Sequence, residues 1–527
     1  MAQRNTWEVS DGQHTTDVNV SEKIVICKRK EVPGITLTIG MFFDGTGNNV
    51  FNTDKRLLET CTSLDVGMKT EDAASCVEKL GKSGNGAGSY LGYYSNVHWL
   101  NTLYIVDDEI TNDQLLYQRA IYIQGIGTQK DKQDSLVGMG IGAWFEGVVD
   151  KTDEGISQIA SEINLFLRKN NNSLCAIEKI QFDILGFSRG AAAARHFANR
   201  VRNNDPAIQE AITKGLDGRN QHGKPAGEVR FLGLFDTVCA VGGVTNLFDV
   251  HGGVNPGIEL ALPKDIAQKV FQITAMHECR YNFSLNSIKE SWPELALPGV
   301  HSDIGGGYNP QEKEYLFLTK PEFETVRDSI PAEMTNIYRS SAAEIPDLRA
   351  LPNLSPIMLS GEITLGTWYD YLVNPNKNRM GVMEKRVGAA VTMERTVTND
   401  WSKVSLRVML DVAQTAGIIF QAIDPSSPDM KLPEELESLC IKAINQGKAI
   451  IIGGDPVAFT LEEMQLVGKY IHCSANWNAV TFKNVWLDGN KVKTIYGAVK
   501  PAELIGFVNR PNPGWVRAVW NMQGTKA

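Results

Sequence analysis

Three residues of this sequence combine a type and a setting that suit acyl transfer. Ser188 lies in a G-x-S-x-G pattern between Gly186 and Gly190, within QFDILGFSRGAAAAR at 181–195. A serine hydroxyl becomes a nucleophile when an adjacent base takes its proton. A serine held at a sharp strand-to-helix turn needs glycine two positions to either side, where a side chain would collide. Asp236 closes the apolar run VRFLGLF, and His301 follows LALPGV and opens HSDIGGGY. Histidine is the base such a serine needs, and a carboxylate behind it fixes its tautomer. His301 alone among the eight histidines joins a strand end, a nearby acidic residue and a glycine run that lets substrate approach. His277 is its competitor as base and Glu278 is the alternative acid, whereas His196 and His472 read as structural or surface groups.

These side chains must be positioned by a sheet. Apolar runs at 35–43, 120–124, 182–187, 229–235, 270–276 and 295–300 read as strands, with helical faces at 95–104, at 156–166 and in the alanine run after Ser188. Alternating strands and helices predict an α/β class: a mostly parallel, doubly wound sheet of α/β-hydrolase type with a nucleophile elbow. The order Ser188, Asp236, His301 is the one that fold uses. Functional side chains then sit at the carboxyl ends of strands. DGTGNN at 44–49 follows the first strand directly, and its backbone N–H groups suit an oxyanion hole or a phosphate cradle. The expected oxyanion donors are Arg189, at the start of the elbow helix, and Gly45 or Thr46.

Composition narrows the function classes. The 527 residues are 43% hydrophobic, enough for sizeable cores, and the net charge of −9 argues against nucleic-acid binding. The polar first 18 residues have no apolar core of a signal peptide, so the expectation is synthesis in the cytoplasm. No apolar run approaches the roughly 20 residues that span a bilayer. The eight cysteines form no C-x-x-C pair, so neither metal nor redox motif is indicated, and no cofactor is expected. Cys61 and Cys76 share one loop-like stretch where a disulfide is conceivable, free thiols being the expectation. Gly138, Gly140 and Gly142 do not follow a strand in dinucleotide-binding fashion.

Two resemblances arise from the motifs. FFDGTG is similar to the first motif of haloacid-dehalogenase phosphatases, but the nucleophilic aspartate they require falls on Phe42, which removes that reading. FFDGTGNN, GFSRGA, LFDTV and PGVHSDIGGGY, in that order, resemble the phospholipase effectors of the bacterial type VI secretion system, in the first of its lipase subfamilies. The match spans about 36–310, with an echo at 404–420. The resemblance implies hydrolysis of membrane glycerophospholipid acyl esters in a rival bacterium. It also implies secretion by the type VI system on a spike or carrier protein, action at the target periplasm or membrane, and a cognate immunity protein. It assigns Ser188 as nucleophile, Asp236 as acid and His301 as base.

The expected organisation is a leader at 1–34, a catalytic domain at 35–310, an insertion at 311–400, a helix near 401–425 returning to the catalytic domain, and an accessory region at 426–527. Apolar residues at 345–372 make the insertion a candidate lid, with Leu351, Leu354 and Met358 at helical spacing and Trp368, Tyr369 and Leu359 as lipid contacts. The alternative is a second small core. Helices are expected at 433–445 and at 460–472, the latter opened by Thr460 and Glu463, followed by a terminal hairpin unit. An intracellular esterase or thioesterase of the same fold, and a catalytically silent binding protein, are the competing functions.

Overall fold

A computed structural model of the chain describes residues 4–11, 25–32, 34–55, 92–111, 114–128, 145–170, 176–219, 222–239, 255, 257–371, 383–477, 480–487, 490–498 and 509–527. Strands β1 (Arg4–Asp11) and β2 (Val25–Val32) pair antiparallel, so the described residues of the leader are strands. The central sheet follows, from β3 (Gly34–Phe43), β4 (Leu116–Ile123), β5 (Ala176–Phe187), β6 (Glu228–Phe235) and β7 (Lys269–Ala275). A two-residue strand β8 (Leu285–Asn286) precedes β9 (Glu294–Leu297), which completes it. Its order is β4-β3-β5-β6-β7-β9, and every neighbouring pair is parallel.

Both faces of this sheet are covered, which is why its strands read as continuous apolar runs. Ile35, Leu37, Ile39, Met41 and Phe43 of β3 face one core, shared with the helices Phe145–Lys169, Arg189–Arg202 and Pro206–Leu216. Phe42, Leu185 and Phe187 face the other, built with Asn96–Leu103, Asp400–Thr415 and Glu434–Ile451. The helix expected near 401–425 therefore packs on the sheet, and it is shorter than expected. Ala191 to Ala194 are fully buried, their small side chains letting the elbow helix lie close to the sheet.

The segment after the sheet is built mainly of strands. Strands β10 (Gln311–Phe317), β11 (Glu322–Arg327) and β12 (Glu362–Asp370) all pair antiparallel with the long β13 (Glu384–Thr398). The helix Asn336–Ala350 ends before Leu351, and Pro352 and Pro356 lie in the run of turns that follows. Leu348, Leu354, Ile357 and Met358 are buried in the same core as Trp401 and Phe420. Residues 351–358 make isolated turns rather than a continuous helix, with the Ser355 and Met358 N–H groups donating to the Leu351 and Leu354 carbonyls at 2.8 and 3.2 Å, while Pro352 and Pro356 have no N–H to extend the ladder. Leu359 is 74% exposed and Tyr369 is 40% exposed, while Trp368 packs against Phe317 with ring centroids 5.1 Å apart.

In the C-terminal region Thr460 and Glu463 form the expected capping box, but the helix stops at Val467 rather than reaching His472. Strands β14 (Val480–Leu487) and β15 (Asn490–Ala498) form a hairpin, and β16 (Val519–Trp520) runs parallel to β8. Cys61, Cys76 and the glycines at 138, 140 and 142 lie outside the described residues. Among the described residues no helix is long and apolar enough to cross a membrane.

Candidate active site

The order of the central sheet changes direction at β3, because β4 lies on one side of it and β5 to β9 on the other. Crevices at the carboxyl ends of strands beside such a switch point hold ligands in open α/β sheets. Asp44 leaves β3 at that edge and Ser188 leaves β5 beside it. Ser188 adopts φ 59 and ψ −126, a backbone state that costs a non-glycine residue about 1–3 kcal/mol. Close packing enforces it. A Cβ on Gly190 would stand 2.3 Å from the Phe43 and Asp44 carbonyl oxygens, and one on Gly186 would stand 2.6 Å from the Gly190 oxygen.

Register brings the acid alongside. Phe187 and Phe235 are paired across β5 and β6, and the Ser188 N–H donates to the Phe235 carbonyl at 3.0 Å. Asp236 is the next residue, buried, with φ 44. Its Oδ2 lies 2.5 Å from His301 Nδ1, and its Oδ1 accepts the Ala275 N–H at 2.9 Å. His301 begins a short helix, His301–Gly305, after β9, and its ring packs between Phe187 and Phe283 at 4.6 and 4.9 Å. Burial lowers its pKa below the usual histidine value against the opposing pull of Asp236, which favours the neutral ring a base requires. Burial alone would raise the Asp236 carboxyl, but Arg517 and His301 outweigh it and hold it well below the usual carboxylate range.

The two alternatives are engaged elsewhere. Glu278 accepts from the Arg280 guanidinium at 3.0 and 2.8 Å, from the Ser474 hydroxyl at 2.9 Å and from the His301 backbone N–H at 3.2 Å. It supports the histidine's main chain, not its ring. His277 Nδ1 accepts the Gly299 N–H at 2.8 Å, and burial brings its pKa down to about 4. His196 is half-buried and accepts the Glu259 N–H at 3.2 Å.

The first turn differs from expectation at Gly45. Its N–H donates to Oδ1 of Asp44 at 2.7 Å, so this donor already has a partner. Asp44 also accepts from the Tyr122 hydroxyl at 2.6 Å, and burial raises its carboxyl to about 6. Thr46 follows in the same turn, and its Oγ1 is a buried oxygen without a partner among the described residues. Arg189 stands at the first position of the elbow helix, where N–H groups converge and the helix dipole is positive.

Three residues of the C-terminal region join this site from far along the chain. Arg517 places Nη1 and Nη2 at 2.7 and 2.8 Å from the two oxygens of Asp236. Ser474 reaches Glu278, and His472 Nδ1 lies 2.7 Å from Oδ1 of Asp303, two residues after His301. Sequence reasoning missed Arg517 and Ser474 and read His472 as a structural or surface group without its partner; none carries a local motif. Among the described residues no cluster of three or more histidine, cysteine, aspartate or glutamate side chains is placed to hold a metal.

A family model described as the type VI secretion system phospholipase effector Tle1-like catalytic domain matches residues 200–329. A solved structure of the Tle1 effector bound to the VgrG spike from the type 6 secretion system is 47% identical, with a TM-score of 0.76. The match covers 98% of this chain and 100% of that one. The chain belongs to the Tle1 family of type VI secretion phospholipase effectors. The central parallel sheet with helices on both faces is the α/β fold it shares with that Tle1 structure. An uncharacterized protein from Pseudomonas aeruginosa matches at 18% identity and a TM-score of 0.38, covering 83% of this chain and 53% of that one. No curated protein matches the sequence. In this Tle1-family chain the family-model match takes in Asp236, Glu278 and His301 and begins after Ser188. The likeness to the Tle1 structure extends over the C-terminal region that carries Ser474 and Arg517.

Proposed function

We propose that this Tle1-family lipolytic hydrolase is a serine phospholipase A that cleaves acyl esters of membrane glycerophospholipids at the first or second position, or both. Ser188 is the nucleophile, His301 the general base and acid, and Asp236 the residue that orients it. The observation that supports this most strongly is the 2.5 Å contact between Asp236 and His301 Nδ1 beside the strained Ser188 turn. With Nδ1 directed at the carboxylate, Nε2 is the nitrogen left to take the serine proton. Ser188 Oγ bonds to the ester carbonyl carbon as His301 accepts that proton. The tetrahedral intermediate collapses with cleavage of the ester C–O bond, and His301 returns the proton to the leaving lysophospholipid oxygen. Water then attacks the acyl-enzyme by the same route and releases the fatty acid.

The oxyanion is held by the Arg189 N–H and by Thr46 of the first turn, Gly45 being committed to Asp44. One such donor is worth about 2.7–4 kcal/mol of transition-state stabilisation. The effector is carried to a rival cell on a VgrG-type spike, the partner of its solved relative, and acts at the target membrane; a cognate immunity protein protects the producer. Leu359 and Tyr369 are its lipid-facing contacts, whereas Trp368, on the opposite face of β12, packs on Phe317. The test is fatty-acid release from phosphatidylglycerol and phosphatidylethanolamine vesicles by purified wild type and Ser188→Ala. Release by the wild type and its loss in a folded Ser188→Ala protein are expected. Equal release by both excludes the serine mechanism.

A further inference from the structure

Asp236 is held by a residue 281 positions away in the chain. Segment 510–520 runs beside 279–287 as a strap. The Tyr281 N–H donates to the Arg510 carbonyl at 2.9 Å, Asn512 N–H to Cys279 O at 2.7 Å, Leu285 N–H to Ala518 O at 2.9 Å and Ser287 N–H to Trp520 O at 2.9 Å. From this strap Arg517, its side chain 7% exposed, sends Nε to the Phe283 carbonyl at 2.7 Å and both terminal nitrogens to the two Asp236 oxygens. A bidentate guanidinium fixes the plane of a carboxylate as well as its position. The carboxylate plane in turn sets how Oδ2 meets His301 Nδ1.

The same contact redistributes charge. In an isolated Asp–His pair the carboxylate's full negative charge favours the protonated ring. Here much of that charge faces a buried cation. Among the described residues, the other charged groups near His301 are Glu278, whose carboxylate accepts its backbone N–H, Arg280, which is paired with Glu278 and offsets it, and Asp303 in the same short helix, which is engaged by His472. Phe187 and Phe283, which pack against the ring, carry no charge.

Resting on the Ser188–His301–Asp236 reading, we propose that Arg517 is a positioning residue for this reaction. It locks the Asp236 carboxylate against His301 and, by sharing its negative charge, keeps His301 neutral and able to accept the serine proton at lower pH than an unassisted pair would. The C-terminal strap is therefore part of the hydrolytic machinery and not only a cap on it.

The experiment compares full-length wild type, Arg517→Gln and Arg517→Lys on a short-chain soluble ester, with kcat and KM measured across pH. In Arg517→Gln, kcat is expected to fall about 10²-fold through misplacement, with KM unchanged. The acid limb of kcat/KM is expected to move to higher pH by about one unit. Arg517→Lys keeps the charge without the fork, so its acid limb stays near that of wild type while kcat remains depressed. An Arg517→Gln protein with wild-type kcat and an unmoved acid limb overturns the proposal. Should Arg517→Gln not fold, Arg517→Lys decides the positioning role through kcat, wild-type kcat overturning it. The charge role is then read from Arg517→Met, which keeps side-chain bulk without the cation: an acid limb moved to higher pH supports it, and an unmoved limb overturns it. Loss of the underlying reading looks different: Ser188→Ala would retain hydrolysis whatever the Arg517 variants do.

Discussion

His472 and Asp303 form a second imidazole–carboxylate pair directly behind the first. Nδ1 meets Oδ1 at 2.7 Å, the His472 backbone N–H donates to Oδ2 at 2.9 Å, and Tyr308 stacks on the ring at 3.7 Å. Both residues are buried. Burial alone would lower the His472 pKa, but Asp303 outweighs it and the folded value lies above the ordinary one. A raised histidine pKa contributes stability that is fully present below the unfolded value of about 6.5 and is lost as pH rises through the folded value. His472→Gln is therefore expected to cost about 3–5 kcal/mol near pH 6, and less as pH rises. Urea unfolding at a series of pH values checks this; a gap that does not narrow contradicts it.

Asp44 predicts the opposite kind of profile, because here burial raises a carboxyl, from 3.8 to about 6. The folded state then binds the proton more tightly than the unfolded chain, and stability falls as pH climbs across that window. Asp44→Asn, which resembles the protonated form, is expected to remove that decline while leaving the protein folded. Thermal melts between pH 4 and 7 read it directly. A mutant whose stability tracks the wild type across the window rules out Asp44 as the source.

Much of this architecture was legible in the sequence because it is local. Gly186, Ser188 and Gly190 sit within five residues, and the apolar runs before Ser188 and Asp236 leave little choice but parallel strands buried on both faces. The insertion was harder. β13 is buried from Val387 to Met393 on both faces, so the alternation that marks a half-buried strand is absent. The turns after Ala350 mimic helical spacing without being helical. Arg517, Ser474 and His472 were illegible for a different reason. Their roles depend on where a distant segment is laid, and nothing in their own neighbourhood records it.

Ser188 carries the backbone strain that its proposed role as nucleophile requires. Glycine accepts φ 59 and ψ −126 freely, which recovers about 1–3 kcal/mol of strain and gives back about 0.5–1 kcal/mol in unfolded-state entropy. Ser188→Gly is therefore expected to be more stable than wild type by about 1 kcal/mol and devoid of hydrolysis. Chemical denaturation and an ester assay on the same preparation test both halves. A less stable Ser188→Gly would mean that the hydroxyl itself supports the fold.

The exposed Leu359 and Tyr369 are expected to act at the lipid surface and not in the chemistry. Leu359→Glu and Tyr369→Glu should reduce vesicle hydrolysis at least several-fold by removing apolar contact and adding charge against the bilayer, while leaving hydrolysis of a soluble short-chain ester unchanged. Equal rates on vesicles for mutant and wild type would remove these residues from membrane contact. Deleting 352–366 is a different experiment, since it removes Leu354, Ile357, Met358 and most of β12. Loss of activity on both substrates is its expected outcome.

The proposed nucleophile is Ser188, activated by His301. Covalent trapping tests it most directly: the wild type, Ser188→Ala and His301→Ala are treated with a fluorophosphonate, and the adduct is located by peptide mass spectrometry. One adduct is expected, on the peptide containing Ser188, absent from Ser188→Ala and formed far more slowly in His301→Ala. An adduct on another residue, or unlabelled Ser188 in a preparation that releases fatty acid from vesicles, would contradict it.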